Sequence, residues 1–290
     1  MNETAIWVVF SGLLNGGIYA LVAMGLSLQY GVARVINISH GEFIMIGAFL
    51  TWTLYTALGI NPLVSAAISG PLLLLIGFLL HRTLFTSLRA RSPSPGAFEG
   101  NSLLVAFGLM FVIQNIALLV WGGRPQAYYY LYYGVKLFGV IFLINNLIAL
   151  VVAVVLGVAF YVFVTRSRLG KAIRAAAQDP ATAELMGVNI NRMLPLCFGL
   201  GTLMAAVAGV LASMCYPISA SMGINYSIIA LIVVALGGLG SIPGSFIGGF
   251  IIGLIGSIVT QWQPGLSMAA YYAILLILLL VRPQGILGKR

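Results

Sequence analysis

Long uninterrupted apolar runs, broken by short polar stretches, set the pattern of this chain. Crossing a hydrocarbon core of about 30 Å takes about 20 helical residues. By that measure the runs predict membrane helices over 5–31, 40–59, 62–80, 101–121, 142–164, 194–215, 226–239, 244–260 and 267–282. Helix is the required state, because lipid offers the backbone no hydrogen-bond partners. Pro62 suits an early position of its helix. The run 226–239 is short, since fourteen helical residues reach only about 21 Å. It is joined to 244–260 by Gly237-Gly238-Leu239-Gly240-Ser241-Ile242-Pro243-Gly244. The two are expected to form either two crossings or a re-entrant pair. Irregular backbone at that depth is tolerated only inside protein or beside a water-filled cavity. The expectation is therefore an all-α polytopic transmembrane bundle of about eight to nine membrane helices, with broken or short helices near 37–42 and 237–245.

The polar stretches supply an orientation. Of the 14 Lys and Arg residues, 12 fall in one alternating set of loops, from Arg34 through Arg82, Arg89 and Arg91, the 165–193 stretch, and Arg282, Lys289 and Arg290. Only Arg124 and Lys136 fall in the opposite set. The positive-inside bias places the first set in the cytoplasm, the N-terminus outside and the C-terminus inside. This distribution also explains the net charge of +9 without nucleic acid. The outer loop 122–141 contains Tyr128, Tyr129, Tyr130, Tyr132 and Tyr133, read as an interfacial aromatic belt or, alternatively, a docking face for an external partner.

Composition sharpens the class. Only 7% of the 290 residues are charged and mean hydropathy is +1.09, against roughly a quarter charged in soluble domains. The N-terminal run lacks a basic leader and exceeds a secretory h-region, so it reads as a retained span. Cys197 and Cys215, well separated on one predicted helix, read as packing residues. Small residues recur every four positions at Gly12, Gly16 and Ala20, at Gly201, Ala205, Gly209 and Ser213, and at Ser245, Gly249, Gly253 and Ser257. Such rows let helix backbones approach closely, within one subunit or between subunits.

Candidate chemistry is sparse. The stretch Asn37-Ile38-Ser39-His40-Gly41-Glu42 is the most polar one beside an apolar span, and Glu42 is the one carboxylate at the start of or inside any span. Ionisable groups there usually face a cavity or a partner. Ser39-x-x-Glu42 also reads as a capping box, which would tie both residues to a helix start. The longest polar segment, 165–193, contains an Ala-rich helix former up to Gln178, then Asp179-Pro180 as cap and first residue of a second helix, Glu184 within it, and Gly187 suited to end it. Two such surface helices offer a soluble partner a knob, or simply anchor at the interface. His40 and His81 lie on different spans, Leu169-Gly170-Lys171-Ala172 lacks the glycine and hydroxyl of a nucleotide-binding loop, and no metal-ligand spacing occurs. No enzyme, cofactor or metal is expected, and energy must come from a partner or a gradient.

Taken in order, several stretches resemble the LivH-type permeases of branched-chain amino acid ABC importers. They are Asn15-Gly16-Gly17-Ile18-Tyr19-Ala20-Leu21 with Gly25; Ile36-Asn37 with His40-Gly41-Glu42 and Gly47; Arg166 to Ala175 with Asp179, Leu185 and Gly187; Leu236 to Gly244 with Gly248-Gly249; and Pro283-Gln284-Gly285-Ile286-Leu287-Gly288. The resemblance spans nearly the whole chain and implies one permease domain over 1–290 in a cell (inner) membrane. It implies a second, LivM-like permease, two cytoplasmic ATP-binding subunits and an extracytoplasmic solute-binding protein as partners, and an amino acid as cargo. It assigns 165–193 as the ATPase-coupling region, with Gly170, Arg174, Asp179, Glu184 and Gly187 as its marks. The breaks carrying Asn37, Ser39, His40, Gly41 and Glu42, and Gly237, Gly238, Gly240 and Ser241, are then expected along the substrate path. A urea or amide permease of the same family, an ion-coupled secondary transporter and a passive channel are the rival readings.

Overall fold

A computed structural model describes residues 3–137, 139–282 and 284–287; Pro283, Gly288, Lys289 and Arg290 of the readings above lie outside the described residues. The fold is an all-α polytopic bundle with, among the described residues, eight helices long and apolar enough to cross a membrane.

Helix α1 (Glu3–Leu28) continues through a π-helical turn, Gln29–Ala33, and α2 covers His40–Leu58. Helix α3 (Pro62–Leu80) runs on through a second π-helical turn, His81–Phe85, into α4 (Thr86–Arg91). Pro62 occupies the first position of α3 behind the cap Asn61, whose side chain accepts from the amide of Leu63. Helix α5 (Pro95–Trp121) begins earlier than its apolar run, because Ser94 caps it through Ala97 with Pro95 at the first position. After α5 the chain forms a small antiparallel hairpin, β1 (Gly134–Leu137) and β2 (Val140–Leu143), which the hydropathy pattern did not signal. Residues 142–143 therefore belong to a strand, and α6 covers Ile144–Arg166.

Two short helices follow, α7 (Arg168–Gln178) and α8 (Pro180–Leu185), then α9 (Ile190–Cys215), α10 (Met222–Gly237), α11 (Ile242–Trp262), a single 3₁₀ turn (Pro264–Leu266) and α12 (Ser267–Val281). The small-residue rows pack helices within the chain. A β-carbon on Gly16 would lie 2.7 Å from Cα of Phe250, and one on Gly249 would lie 2.5 Å from Cα of Ala20, so α1 and α11 meet backbone to backbone. The row on α9 does the same against Gly25 and Ile44. Helix α9 is the centre of the bundle and is mostly buried, whereas α12 leaves nearly all of its surface open. Cys197 and Cys215 are both free thiols.

Candidate functional site: two helix starts that meet inside the bundle

Helix α10 is too short to cross alone, at 16 residues. The missing length is supplied by residues 216–221. They leave the end of α9, where Ile218 pairs with Gln126 of the 122–141 loop, and lead to the start of α10. The depth of that start is fixed by α1. The Tyr216 hydroxyl donates to Asn15 at 2.8 Å, and the Tyr226 ring packs edge-on to Tyr19 at 6.3 Å. Both α1 residues lie near the middle of the continuous helix Glu3–Ala33. A short non-helical segment and a short helix thus share one passage through the bundle.

Helix α2 also starts inside the bundle. The His40 ring nitrogen Nε2 lies 3.1 Å from the carbonyl of Val22. Residues 34–39, which lead to it, are non-helical, and their polar groups are served from three directions. Ser39 donates to Asn37 Oδ1 at 2.6 Å, Asn37 Nδ2 donates to Gln29 Oε1 at 3.0 Å, and Gln29 Nε2 donates to the Phe198 carbonyl at 3.0 Å. The backbone amide of Ile36 donates to Ser102, and Ser227 of α10 donates to the Ile38 carbonyl while accepting from the Gly41 amide at 2.8 Å. Unserved, each such buried group would cost about 1–3 kcal/mol, so this relay is what permits a break at that depth. Gln29, Ser102 and Ser227 lie outside the motifs; only their being polar within apolar runs could have flagged them.

The capping box expected at Ser39-x-x-Glu42 does not form. Ser39 sits at the N-cap position but makes no side-chain bond to the helix start, because its hydroxyl is committed to Asn37. Glu42 turns instead towards α10. Its carboxylate packs where a β-carbon of Gly223 would stand, in the first turn of α10, and neither carboxylate oxygen has a hydrogen-bond partner. Helix α10 in turn has no side-chain cap of its own. A carboxyl beside the positive end of a helix is in the right place electrostatically. Gly41 and Gly223 make this approach possible: a β-carbon on Gly41 would lie 2.6 Å from Ser227 Oγ and closer still to the Gly223 carbonyl.

One side of the junction is open. Tyr216, Ser221 and Asn225 are exposed, with Asn15, Tyr19, Ser219 and Tyr226 half-buried around them. A polar strip at mid-bundle depth belongs against water or protein, not against hydrocarbon. The two breaks expected along the substrate path occupy different places. Asn37, Ser39, His40, Gly41 and Glu42 gather at the start of α10, but Gly237, Gly238, Gly240 and Ser241 lie at its far end. There Gly237 packs on Gly244, Gly240 (φ +82°) approaches Gly31 of α1, Gly238 (φ +101°) lies against Gly285, and Ser241 caps α11 through Gly244 at 3.2 Å.

The 165–193 stretch folds as the sequence suggests. Ser167 caps α7 through Gly170, whose lack of a side chain lets it lie against the carbonyls of Phe163 and Val164. Asp179 caps α8 by accepting from the amides of Ala181 and Thr182, at 3.0 and 3.2 Å, and from the Thr182 hydroxyl. Those bonds, the Thr182 hydroxyl first, hold the Asp179 carboxyl below the usual carboxylate range. Glu184 is exposed in α8, and Gly187 (φ +86°) ends the turn after it. Arg174 donates to the Thr165 carbonyl at 3.0 Å and shares a cleft of about 560 Å³ with Gly240 and Ser241. The coupling candidates and the Gly-rich break are therefore neighbours across open space. In the outer loop, Tyr128 is buried with its hydroxyl 2.9 Å from Ser213, and Tyr130 accepts from Asn61 at 2.8 Å, so part of the expected belt is a clasp; Tyr129, Tyr132 and Tyr133 stay exposed.

Residues 8–281 match the family described as the permease component of branched-chain amino acid transport systems. The chain belongs to this permease family. Among similar proteins, the high-affinity branched-chain amino acid transport system permease protein LivH of Salmonella typhimurium is 33% identical over 97% of this chain and 94% of its own length. The permease protein BraD of Pseudomonas aeruginosa is 32% identical over 96% and 94%. A probable permease named LivM, from Methanocaldococcus jannaschii, is 25% identical over 81% of this chain and 76% of its own. No solved structure matches the chain. This permease, then, has the mid-bundle break described above as its most polar intramembrane feature.

Proposed function

We propose that this permease is one transmembrane subunit of an ABC importer for branched-chain or related amino acids, powered by two partner ATPases and fed by an external solute-binding protein. The observation that carries the proposal is the open polar strip at mid-bundle depth, in a chain whose full-length relatives are named as permeases of such systems. A second, LivM-like permease would cover that strip, and the substrate would pass between the two. Asn37, Ser39, His40, Gly41 and Glu42 would form the hinge of the path, Tyr216, Ser221 and Asn225 its lining. Gly237, Gly238, Gly240 and Ser241 would form its cytoplasmic flexing point.

In this reading ATP-driven closure presses on α7 and α8 at Gly170, Arg174, Asp179, Glu184 and Gly187. The cleft between Arg174 and Gly240 narrows, the cytoplasmic end of α10 shifts, and its other end moves against α2. The N-terminus lies outside and the C-terminus in the cytoplasm, in keeping with the nine passages that result when 216–221 and α10 count as one. The buried, unpartnered Glu42 favours a second reading, ion-coupled transport, because a titrating group is what that mechanism needs.

Uptake of labelled leucine, glutamate and urea into vesicles holding the assembled complex, with and without the ATPases, separates these readings. Leucine uptake that needs ATP and the ATPases, and that persists in Glu42→Gln, is expected. Gradient-driven uptake by the permeases alone, abolished in Glu42→Gln, would establish the second reading instead.

A further inference from the structure

The cleft beside Arg174 has a composition that coupling alone does not explain. Its polar wall includes Tyr30, Arg34, Tyr161, Arg174, Gln178 and Ser241, and among the described residues no Asp or Glu lines it. Arg34 is one of two described non-glycine residues with a left-handed backbone (φ 55°). That conformation costs roughly 1–2 kcal/mol. It closes the end of the π-helical turn, with the Arg34 amide bonded to the Tyr30 carbonyl and the guanidinium 5.7 Å from the Tyr30 ring. Arg174 reaches the same cleft from α7, held by the Thr165 carbonyl. Two cations with different anchors thus line one concavity with no counter-charge among the described residues.

The cleft also has an apolar continuation. A groove of about 130 Å³ between α6 and α11 is lined by Gly157, Val158, Tyr161, Pro243, Phe246 and Ile247, and Tyr161 and Pro243 line both spaces. Val158 and Ile247 are exposed on the outer surface of the bundle. Gly157 leaves room beside the Phe246 ring, which a β-carbon there would strike. A basic hollow at the end of the spans, opening into a dry groove along them, matches an anion carrying a hydrocarbon chain. Free phosphate would satisfy the hollow alone, and a neutral lipid the groove alone.

We infer that this permease binds an anionic phospholipid of the cytoplasmic leaflet, with its phosphate between Arg34 and Arg174 and an acyl chain in the groove between α6 and α11. Basic pockets between membrane helices on the cytoplasmic side are suited to such headgroups. The site does not depend on which solute is transported. Its place between α7 and the Gly-rich break makes the lipid a wedge in the gap that coupling would close.

The test is native mass spectrometry of the full chain, extracted in detergent and offered equal amounts of dioleoyl phosphatidylglycerol and dioleoyl phosphatidylcholine. Retention of the anionic lipid in about thirtyfold excess is expected, at roughly the preference that two surface arginines confer. Arg34→Ala/Arg174→Ala should bring the ratio near one. Arg168→Ala/Arg192→Ala, which removes the same charge from exposed positions outside the cleft, should leave the excess in place. Val158→Trp, which fills the groove, should lower retention of the anionic lipid severalfold. Millimolar glycerol phosphate should not displace it. Equal retention of the two lipids, an excess that survives loss of Arg34 and Arg174 or falls equally in the outside pair, indifference to Val158→Trp, or displacement by glycerol phosphate would each overturn the inference. A monodisperse elution profile and unchanged melting temperature for each variant exclude misfolding as the cause of any loss.

Discussion

The α2–α10 junction and the α7–α8 element are both interruptions of helix, yet they are stabilised in opposite ways. At the junction every hydrogen bond is long-range in sequence or buried. Ser227 reaches across to Ile38 and Gly41, Gln29 to Phe198, and glycines replace side chains where backbones touch. In α7–α8 the bonds are local, part-buried at Ser167 and exposed at Asp179, and each residue caps the helix that follows it. The first arrangement gives one geometry that depends on the rest of the fold. The second gives a self-contained surface piece whose outer side is free. The contrast teaches that a break inside the bundle is a tertiary structure in its own right, while a break at the surface is only a pair of capped helices.

Three substitutions and one change of pH would break or sharpen that contrast. Gly41→Leu should have the largest effect, because its β-carbon alone collides with Gly223 and Ser227; overpacking of this kind costs about 1–3 kcal/mol or more. No folded, transport-competent complex should be recovered by size-exclusion chromatography, and normal elution with normal uptake would mean that the junction is loose. Glu184→Arg should come next and should act on assembly alone. The exposed site tolerates arginine, so the permease elutes normally, yet ATPase recovery by co-purification falls about tenfold through like-charge contact. Arg91→Glu is a suitable control in the other basic loop. Arg89 is not, because it donates to the Ala33 carbonyl at 2.5 Å and so supports the end of α1. Equal ATPase recovery for wild type and Glu184→Arg would remove Glu184 from the contact.

Ser227→Ala should be intermediate. It strands the Ile38 carbonyl and the Gly41 amide, at about 1–3 kcal/mol, and should lower the melting temperature by several degrees; an unchanged value would mean that water replaces the hydroxyl. The smallest effect belongs to Asp179. Its folded carboxyl is held below the usual value, so its capping bonds contribute stability above the unfolded-state value of 3.8 and lose it as pH falls through the lower folded value. Hydrogen exchange at the amides of Ala181 and Thr182 should therefore speed up locally on acidification, after correction for intrinsic rates, with no change at Gly41. Matching acceleration at both places would show that the two regions unfold together.

The apolar runs made the spans legible, because a bilayer demands length and hydropathy of each helix separately. Asp179, Pro180 and Gly187 made α7–α8 legible for a related reason: caps are local chemistry. The junction was legible only as a location. Ser39 and Glu42 have the spacing of a capping box, and nothing nearby in sequence reveals that Ser39 is claimed by Asn37 or that Glu42 faces a helix start 181 positions away, at Gly223. Residues 216–221 gave no periodic signal at all, since a six-residue segment of bend, single bridge and turn has no pattern to repeat. The hairpin of β1 and β2 was hidden by its own hydrophobicity, which merged Phe142 and Leu143 into the following span.

The open strip at Tyr216, Ser221 and Asn225 also bears on the life of the subunit before assembly. Alone in a bilayer, it would expose hydroxyl and amide groups to acyl chains, a state that membranes disfavour. An orphaned copy is thus marked by its own surface, and membrane proteases that recognise polar groups in hydrocarbon would clear it. Subunit stoichiometry would then need no matched synthesis, only a partner that arrives in time: pulse-chase should give a short half-life for the chain expressed alone and a long one beside its companion permease. If the two half-lives match, the strip is already shielded in the lone chain.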